Sequence, residues 1–211
     1  MKLTIVYDNT ASIPALKSDW GFACLVETAG HTLLFDSGAK GAILMGNMAA
    51  LSIDPATIDT VFISHNHWDH TGGLADLLQA HPTAVCVPAA CPPPGGASTV
   101  LSVDKPVELF DNVYSTGQLG GMEQSLVVRR NDHAVVITGC SHPGVGNIVD
   151  AAGRFGTVTT LVGGLHDFSD FALIDRLERI CPAHCTRHIG TIERDFPDRY
   201  MAAGAGRVLA L

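Results

Sequence analysis

One run of ten residues limits most strongly what this chain can fold into: Ser64-His65-Asn66-His67-Trp68-Asp69-His70-Thr71-Gly72-Gly73. It directly follows the apolar segment 60–63, which is typical of a buried strand. Because successive side chains of an extended chain alternate faces, His65 and His67 point the same way and can hold one metal ion. Asp69 and His70 fall in the turn before the paired glycines, where a sharp bend can direct them to a second ion. The alternative, that these are ordinary surface histidines, does not explain four donor side chains at these offsets. The spacing predicts two neighbouring metals.

The composition predicts one compact domain spanning residues 1–211, with 46% hydrophobic and 16% charged residues. The net charge of −8 argues against nucleic acid as a partner, since a nucleic-acid backbone needs a basic face. No apolar run approaches the ~20 residues of a membrane span, and the N-terminal residues do not have the pattern of a secretory signal. We therefore expect a cytoplasmic protein that acts on a small molecule, away from membranes. The sequence leaves its oligomeric state open.

Hydrophobic periodicity divides the chain into alternating β-rich and helical segments in both halves, as a sandwich of two sheets between helices requires. A turn is predicted at 27–30, and the Pro-rich segment 88–98 is predicted to be a loop, either a lid beside the site or a plain surface connection. Strands are predicted at 2–7, 22–26, 31–35, 60–63, 84–87, 107–115, 125–128, 134–138, 157–162 and 207–211, and helices at 39–51, from 74 to about 81, at 145–152 and at 170–180.

Three further histidines follow β-rich segments. His142 comes after the apolar strand 134–138, His166 after strand 157–162 and two glycines, and His184 after a third short β-segment. An imidazole at the end of a second strand can complete the coordination of the first metal. The remaining histidines lie in predicted turns, at a helix end or beside a basic residue, and we expect no ligand among them.

The six cysteines do not form a four-thiolate zinc pattern, and the absence of an export signal favours reduced thiols. We interpret most of them as small buried apolar groups. They are Cys24, Cys86, Cys91, Cys140, Cys181 and Cys185.

The ten-residue run resembles the signature of the metallo-β-lactamase-fold superfamily. Other segments, which together reach from about residue 8 to about residue 187, resemble the branch named for dihydropterin methyl-aminobenzene phosphate synthase. They are Asp8-Asn9, Leu34-Phe35-Asp36-Ser37-Gly38, Gly139-Cys140-Ser141-His142, Gly163-Gly164-Leu165-His166 and His184-Cys185-Thr186. The resemblance implies an α/β fold, the metallo-β-lactamase-type αββα four-layer sandwich.

The resemblance also implies which residues bind metal. The first ion would take His65, His67 and His142, and the second Asp69, His70 and His184. The superfamily usually supplies a bridging Asp in the region of His166, and this chain has His166 followed by Asp167 instead. Either His166 joins the second ion, or a water replaces the carboxylate bridge and that site is less fully occupied.

Three further residues are assigned supporting parts. Asp36 is expected beneath the metals, orienting the ligand loop, although an Asp at a strand end can also cap the following helix. Asp8 is expected to support the ligands in a similar way. Arg187 stands where the branch usually has glycine, and we expect it to bind an anionic group of the substrate, or else to be a solvated surface residue. Trp68, which lies between predicted ligands in the sequence, is expected to be a packing wall and not a stacking platform for substrate.

The resulting hypothesis is hydrolysis with two divalent ions. We expect zinc first, and iron or manganese are also possible because nitrogen and oxygen ligands suit all three metals. The ions would share a hydroxide that attacks an ester, lactone, amide or phosphodiester, and Asp69 would orient it and return a proton to the leaving group. One alternative is an iron-dependent oxidoreductase, and another is a metal-stabilised binding protein with a degraded second site. A pterin-linked transfer is suggested by the branch name alone.

Overall fold

Two β-sheets packed face to face form the centre of the computed structural model, which describes residues 1–28 and 30–211. Ala29, part of the predicted turn 27–30, lies outside the described residues. The strands are β1 (Lys2–Tyr7), β2 (Ala23–Thr28), β3 (His31–Phe35), β4 (Thr60–Phe62), β5 (Ala84–Pro88), β6 (Thr99–Val103), β7 (Val107–Phe110), β8 (Val113–Ser115), β9 (Leu126–Arg130), β10 (His133–Thr138), β11 (Thr157–Gly164), β12 (Arg179–Ala183) and β13 (Val208–Ala210).

Helices cover the outer face of each sheet. The α-helices are α1 (Gly41–Ala50), α2 (Trp68–Thr71), α3 (Leu74–Ala80), α4 (Val145–Ala152) and α5 (Ile189–Asp195), and short 3₁₀ helices occupy Pro55–Thr57, Gly153–Phe155 and Phe171–Arg176. The first sheet has the order β13-β1-β2-β3-β4-β5-β6, and the second has the order β12-β11-β10-β9-β8-β7. None of the helices among the described residues has both the length and the apolar character needed to cross a bilayer.

Three apolar clusters hold the layers together. The central cluster lies between the sheets, where Phe35 and Phe62 stack with ring centroids 5.5 Å apart and share a core with Ile137 and Val162. A second cluster joins α1 and α3 to the first sheet, and a third joins α4 to the second sheet. This arrangement is the predicted αββα sandwich, since each sheet buries one face against the other sheet and one face under helices.

Several segments differ from the sequence-based assignment. The helix predicted at 170–180 is a 3₁₀ helix over Phe171–Arg176, and β12 begins at Arg179 because its residues pair in parallel with β11. Strand β6 and helix α5 were not predicted. Strand β6 lies at the edge of its sheet beside β5 and is mostly exposed, so it has no strong apolar alternation.

The parallel pairing brings several strand ends to one edge of the sandwich. Strands β3 and β4 run parallel in the first sheet, and β10, β11 and β12 run parallel in the second. Four of these strands are followed within three residues by a non-glycine residue in the left-handed region, at φ values of 48–60°. These residues are Asp36, Ser141, His166 and His184. Such backbone is uncommon outside glycine and clusters where function demands it, so this edge is the place to look for a site.

Candidate metal centre

The ligand run leaves β4 as irregular backbone and enters a single helical turn, α2, instead of the open turn that was predicted. Gly72 caps this turn in helical conformation, with φ of −65°, so it does not supply a sharp bend. The paired glycines are needed for close approach. A Cβ on Gly72 would lie 2.1 Å from the carbonyl oxygen of Ala39, and one on Gly73 would lie 2.3 Å from that of Ser37. Glycine here lets the ligand run pack directly against the loop after β3.

Three imidazoles converge at the first cluster. His65 Nε2 lies 3.0 Å from His67 Nδ1 and 3.2 Å from His142 Nε2. A tetrahedral ion with metal–nitrogen bonds of about 2.0–2.1 Å holds its ligand atoms about 3.3 Å apart. The distances from His65 Nε2 to its two neighbours are therefore close to the spacing that one bound ion would require.

A second cluster lies beside the first. His184 Nε2 lies 3.2 Å from Asp69 Oδ2, and His70 Nε2 lies 3.9 Å from the same oxygen. The His65 and His70 rings are 4.2 Å apart between centroids, so the two clusters are in contact. The indole Nε1 of Trp20 donates to Asp69 Oδ2 at 2.8 Å and holds this carboxylate in place.

The hydrogen bonds behind the rings decide which nitrogens carry protons. The Ser64 hydroxyl donates to Asp36 Oδ2 at 2.7 Å, so His65 Nδ1, which is 2.9 Å from the same hydroxyl, must donate to it. His70 Nδ1 lies 2.7 Å from Asp36 Oδ2 and donates there. With a single proton, held on Nδ1, His65 and His70 each present an Nε2 lone pair to the centre, and this is the tautomer that binds metal. Burial lowers the pKa of His70, but the Asp36 carboxylate outweighs burial and raises it, so a metal at Nε2 would displace a proton there.

His184 is fixed in the same way by Asn9. The Asn9 side chain donates to the backbone carbonyl of His184 at 2.9 Å, which orients its amide, and its Oδ1 accepts from His184 Nδ1 at 3.0 Å. His184 Nε2 is then left buried with no hydrogen-bond partner, facing Asp69 Oδ2. Two acceptors at this distance repel each other unless a cation lies between them, so the pair fits a metal ion.

Burial sets the charge state of the site. It lowers the pKa of His65, with the neighbouring imidazoles acting in the same direction, and it lowers the pKa of His142 and His184. These rings are therefore neutral near pH 7. Burial opposes ionisation of Asp69, but the adjacent imidazoles of His184 and His70 outweigh it and hold the Asp69 pKa below its ordinary value. Neutral imidazoles beside a carboxylate form a donor set suited to a divalent cation.

Both supporting acids contact the ligands. Asp36 accepts from the Ser64 backbone N–H at 2.7 Å in addition to its two side-chain contacts, and burial raises its pKa. The alternative that Asp36 caps the next helix is wrong, since the N-cap position of α1 is Lys40. Asp8 accepts from the His184 backbone N–H at 2.9 Å, and burial raises its pKa as well.

Glu123, which the sequence reasoning missed, holds the loop that carries His142. Its fully buried carboxylate accepts the backbone N–H groups of Gly139, Cys140 and Ser141 through Oε1 at 3.0–3.1 Å. Its Oε2 accepts the N–H of His142 at 2.8 Å. Four consecutive backbone donors on one carboxylate make this loop rigid. The local sequence does not predict this role, because Glu123 lies 16 to 19 residues before the backbone groups that it binds.

Three residues near the candidate site are exposed, unlike the buried rings of His65, His70 and His184. His166 is exposed, with its ring centroid 4.7 Å from that of His142. Arg187 donates to Asp167 Oδ1 at 2.8 Å, and both side chains are largely exposed. Trp68 is 63% exposed, so the prediction that it forms a packing wall is wrong. The assignments of His166 as a ligand and Arg187 as a substrate contact stay predictions.

Cys140 was also missed as a site residue. Its thiol is buried with Sγ 3.2 Å from His70 Nε2, so it is more than an apolar filler. The hydrogen bond with Cys185 and burial raise the pKa of the Cys140 thiol. Asn9 and Trp20 were also missed as site residues, although Asn9 lies in one of the motifs that carry the resemblance.

Comparisons with known proteins agree with this fold. Residues 21–90 match the model of the metallo-β-lactamase superfamily. A 7,8-dihydropterin-6-methyl-4-(β-D-ribofuranosyl)-aminobenzene-5′-phosphate synthase of Methanocaldococcus jannaschii is 22% identical over 91% of this chain and 90% of its own length. A hydroxyacylglutathione hydrolase of Photobacterium profundum is 32% identical over 47% of this chain and 37% of its own length. Tm1679, described as a metal-dependent hydrolase of the β-lactamase superfamily, superposes with a TM-score of 0.81 at 26% identity, covering 100% of this chain and 99% of that one. The resemblance drawn from the motifs is confirmed.

Proposed function

We propose that this chain, which has the metallo-β-lactamase fold, is a metal-dependent hydrolase that uses two divalent ions to direct water at an ester, lactone, amide or phosphodiester. One observation carries the proposal. His184 Nε2 is buried without a partner and lies 3.2 Å from Asp69 Oδ2, beside the first cluster, where His65 Nε2 lies 3.0 Å from His67 Nδ1 and 3.2 Å from His142 Nε2. These distances, and the Nε2 lone pairs of His65, His70 and His184, support the assignment of metal ligands.

The residues divide naturally between two ions. His65, His67 and His142 would hold the first, while Asp69, His70 and His184 would hold the second. Ions bound there would supply a water whose pKa falls from about 15.7 to about 7. Zinc is our first expectation, with iron and manganese as the other metals that this donor set accepts.

The chain's own groups then position the reaction. Asp69, fixed by the Trp20 indole at 2.8 Å, is placed to orient the attacking water and to pass a proton to the leaving group. His67 is exposed whereas His65 and His70 are buried, so substrate approaches from the His67 side. Beside the ligand run, segment 92–95 and Asn66 line a cavity of about 240 Å³, which offers room for part of a small substrate.

The test combines metal analysis with turnover. Protein purified without added metal is analysed for metal identity and stoichiometry, and is then assayed on a panel of esters, lactones, amides and phosphodiesters. We expect the double variant His65→Ala/His67→Ala to lose bound metal and turnover together. The matched control is His133→Ala, since His133 is exposed at the opposite end of the strand that leads to His142.

The proposal is wrong if the double variant keeps full turnover on every substrate that the wild type accepts. A wild-type protein that binds metal but turns over nothing in the panel would favour the binding-protein alternative. Oxygen uptake by iron-loaded protein, without hydrolysis, would favour the oxidoreductase.

A second candidate comes from the archaeal relative, which is named as a synthase of a dihydropterin-linked aminobenzene ribofuranosyl phosphate. The similarity extends over 91% of this chain, so the panel includes a reduced pterin that carries a leaving group, such as a diphosphate ester, on its 6-methyl carbon, and a phosphorylated aminobenzene riboside. Their condensation by wild-type protein, but not by the double variant, would support this activity over hydrolysis.

A further inference from the structure

The Cys140 thiol lies where the two ligand clusters meet. Its Sγ lies within 4.8 Å of the ligand atoms of His65 and His142, and within 4.8 Å of those of His70 and His184. Cys140 is 3% exposed, and its Sγ is 3.2 Å from the lone pair of His70 Nε2. Among the described residues, it is the one side chain shared by donor groups from both clusters.

The carboxylates around the site are engaged elsewhere. Asp36 is occupied by Ser64 and His70, Glu123 by the backbone of the loop 139–142, and Asp167 by Arg187 at the surface. Asp69 already belongs to the second cluster. These contacts leave none of the four acids free to bridge the two clusters, and in the part of the chain that the structure describes the Cys140 thiol is the remaining ionisable group that lies beside donors of both.

We propose that Cys140, as a thiolate, is the anionic ligand that joins the two metal positions and takes the place of a bridging carboxylate. This proposal rests on the metal centre of the proposed function. On binding, the thiol proton would pass to solvent and the sulfur would form one bond to each of the two ions. A tetrahedral ion with bonds of about 2.3 Å to sulfur and about 2.0–2.1 Å to nitrogen separates those ligand atoms by about 3.5 Å, near the 3.2 Å between Cys140 Sγ and His70 Nε2.

A backbone hydrogen bond and two glycines position Cys140 next to the two clusters. Its N–H donates to Glu123 Oε1 at 3.0 Å, which fixes the start of the side chain. A Cβ on Gly139 would lie 2.2 Å from the Ser64 hydroxyl, so glycine at this position lets the Cys140 loop approach the ligand run. A Cβ on Gly164 would lie 2.7 Å from Cys185 Sγ and 3.3 Å from Cys140 Cα, so a second glycine leaves room for both thiols.

Cys185 is the competing sulfur donor. It is half-buried, and its Sγ, the Cys140 thiol and a His166 nitrogen all lie within 4.8 Å of one another. Cys185 Sγ does not form such a set, with all atoms within 4.8 Å of one another, with any two of the ligand atoms of His65, His70, His142 and His184. The geometry therefore favours Cys140, and variants of the two thiols distinguish them.

The experiment replaces the native metal with Co²⁺ in the full chain and follows the near-ultraviolet thiolate-to-cobalt charge-transfer band during titration. We expect the band in the wild type and in Cys185→Ser, and its loss in Cys140→Ser together with a fall in bound cobalt from two equivalents toward one. Circular dichroism and thermal denaturation establish that each variant folds. X-ray absorption of wild-type zinc protein needs no variant, and should show a zinc–sulfur shell at about 2.3 Å.

Each remaining outcome has a definite meaning. Two bound cobalt ions without the band or a sulfur shell would overturn the Cys140 proposal and leave the hydrolase proposal standing. A band that persists in Cys140→Ser and disappears in Cys185→Ser would overturn it in favour of Cys185. A wild type that binds no cobalt, zinc, iron or manganese would overturn both proposals.

Discussion

Glu123 offers the sharpest test of how the site is held together. In Glu123→Gln the side chain keeps its size but loses its charge and one acceptor oxygen. In the most favourable orientation, the amide oxygen accepts the three N–H groups that contact Oε1 in the wild type. The amide NH₂ then faces the N–H of His142, which contacts Oε2 in the wild type. The substitution therefore replaces the shortest contact, 2.8 Å, with two opposed donors.

The expected magnitude follows from these contacts. A hydrogen bond to a charged group contributes about 1.5–3 kcal/mol, and leaving a buried donor unsatisfied costs about 1–3 kcal/mol. Glu123 is fully buried, so we expect the free energy of unfolding to fall by about 2–5 kcal/mol. Because His142 loses its anchor, we also expect metal affinity to fall about 10–100-fold.

Urea denaturation of the metal-free proteins measures the first effect, and competition with a chromophoric chelator measures the second. Glu108→Gln is the control, since Glu108 is exposed on β7 and accepts one backbone N–H, from Asn112 at 3.3 Å. Its free energy of unfolding should change by no more than about 0.5 kcal/mol. If Glu123→Gln were as stable as this control and bound metal as tightly as wild type, the carboxylate would not be what holds the loop.

Two further predictions concern Tyr7 and the close-packed glycines. Burial, with the charge of Asp19 in second place, raises the Tyr7 pKa to about 12, so the unfolded chain ionises this phenol before the folded chain does. The Tyr7 contribution is thus fully present below about pH 10 and is lost as pH rises toward 12, a decline of about 3 kcal/mol that urea titrations should find in wild type and not in Tyr7→Phe. Gly73→Ala should lower the free energy of unfolding by about 1–3 kcal/mol in urea denaturation, because its Cβ would lie 2.3 Å from the Ser37 carbonyl oxygen.

The glycine prediction has a matched control in the same layer. Gly46 lies within α1 with open space around its Cβ position, so Gly46→Ala should raise the free energy of unfolding by about 0.5–1 kcal/mol. Equal effects of the two substitutions would show that close approach to the loop after β3 does not explain the paired glycines. If the free energy of unfolding fell equally in wild type and in Tyr7→Phe as pH rose from about 10 to 12, ionisation of Tyr7 would not be the cause of the decline.

Much of the architecture could be predicted from local pattern. The bounds of β1, β3 and α4 match their predicted segments because apolar periodicity is a property of neighbouring residues. The prediction failed at 170–180, where a helix-like spacing of apolar residues is divided between a 3₁₀ helix and a strand that pairs with β11. It also missed edge strand β6, whose residues are mostly exposed. In both places pairing with a neighbouring strand decided the outcome.

The amino-acid sequence by itself determined the donors: a dense run of imidazoles and a carboxylate after a buried strand, and further histidines at the ends of later β-segments. Only the tertiary structure decided which of them meet, and which nitrogen of each ring is left bare. Asn9 fixes the tautomer of His184 across 175 residues, and Cys140 reaches His70 across 70. Such contacts depend on the order in which strands pair and on the loops that follow them. A local pattern encodes neither, because residues far apart in the chain become neighbours only when the two sheets have formed.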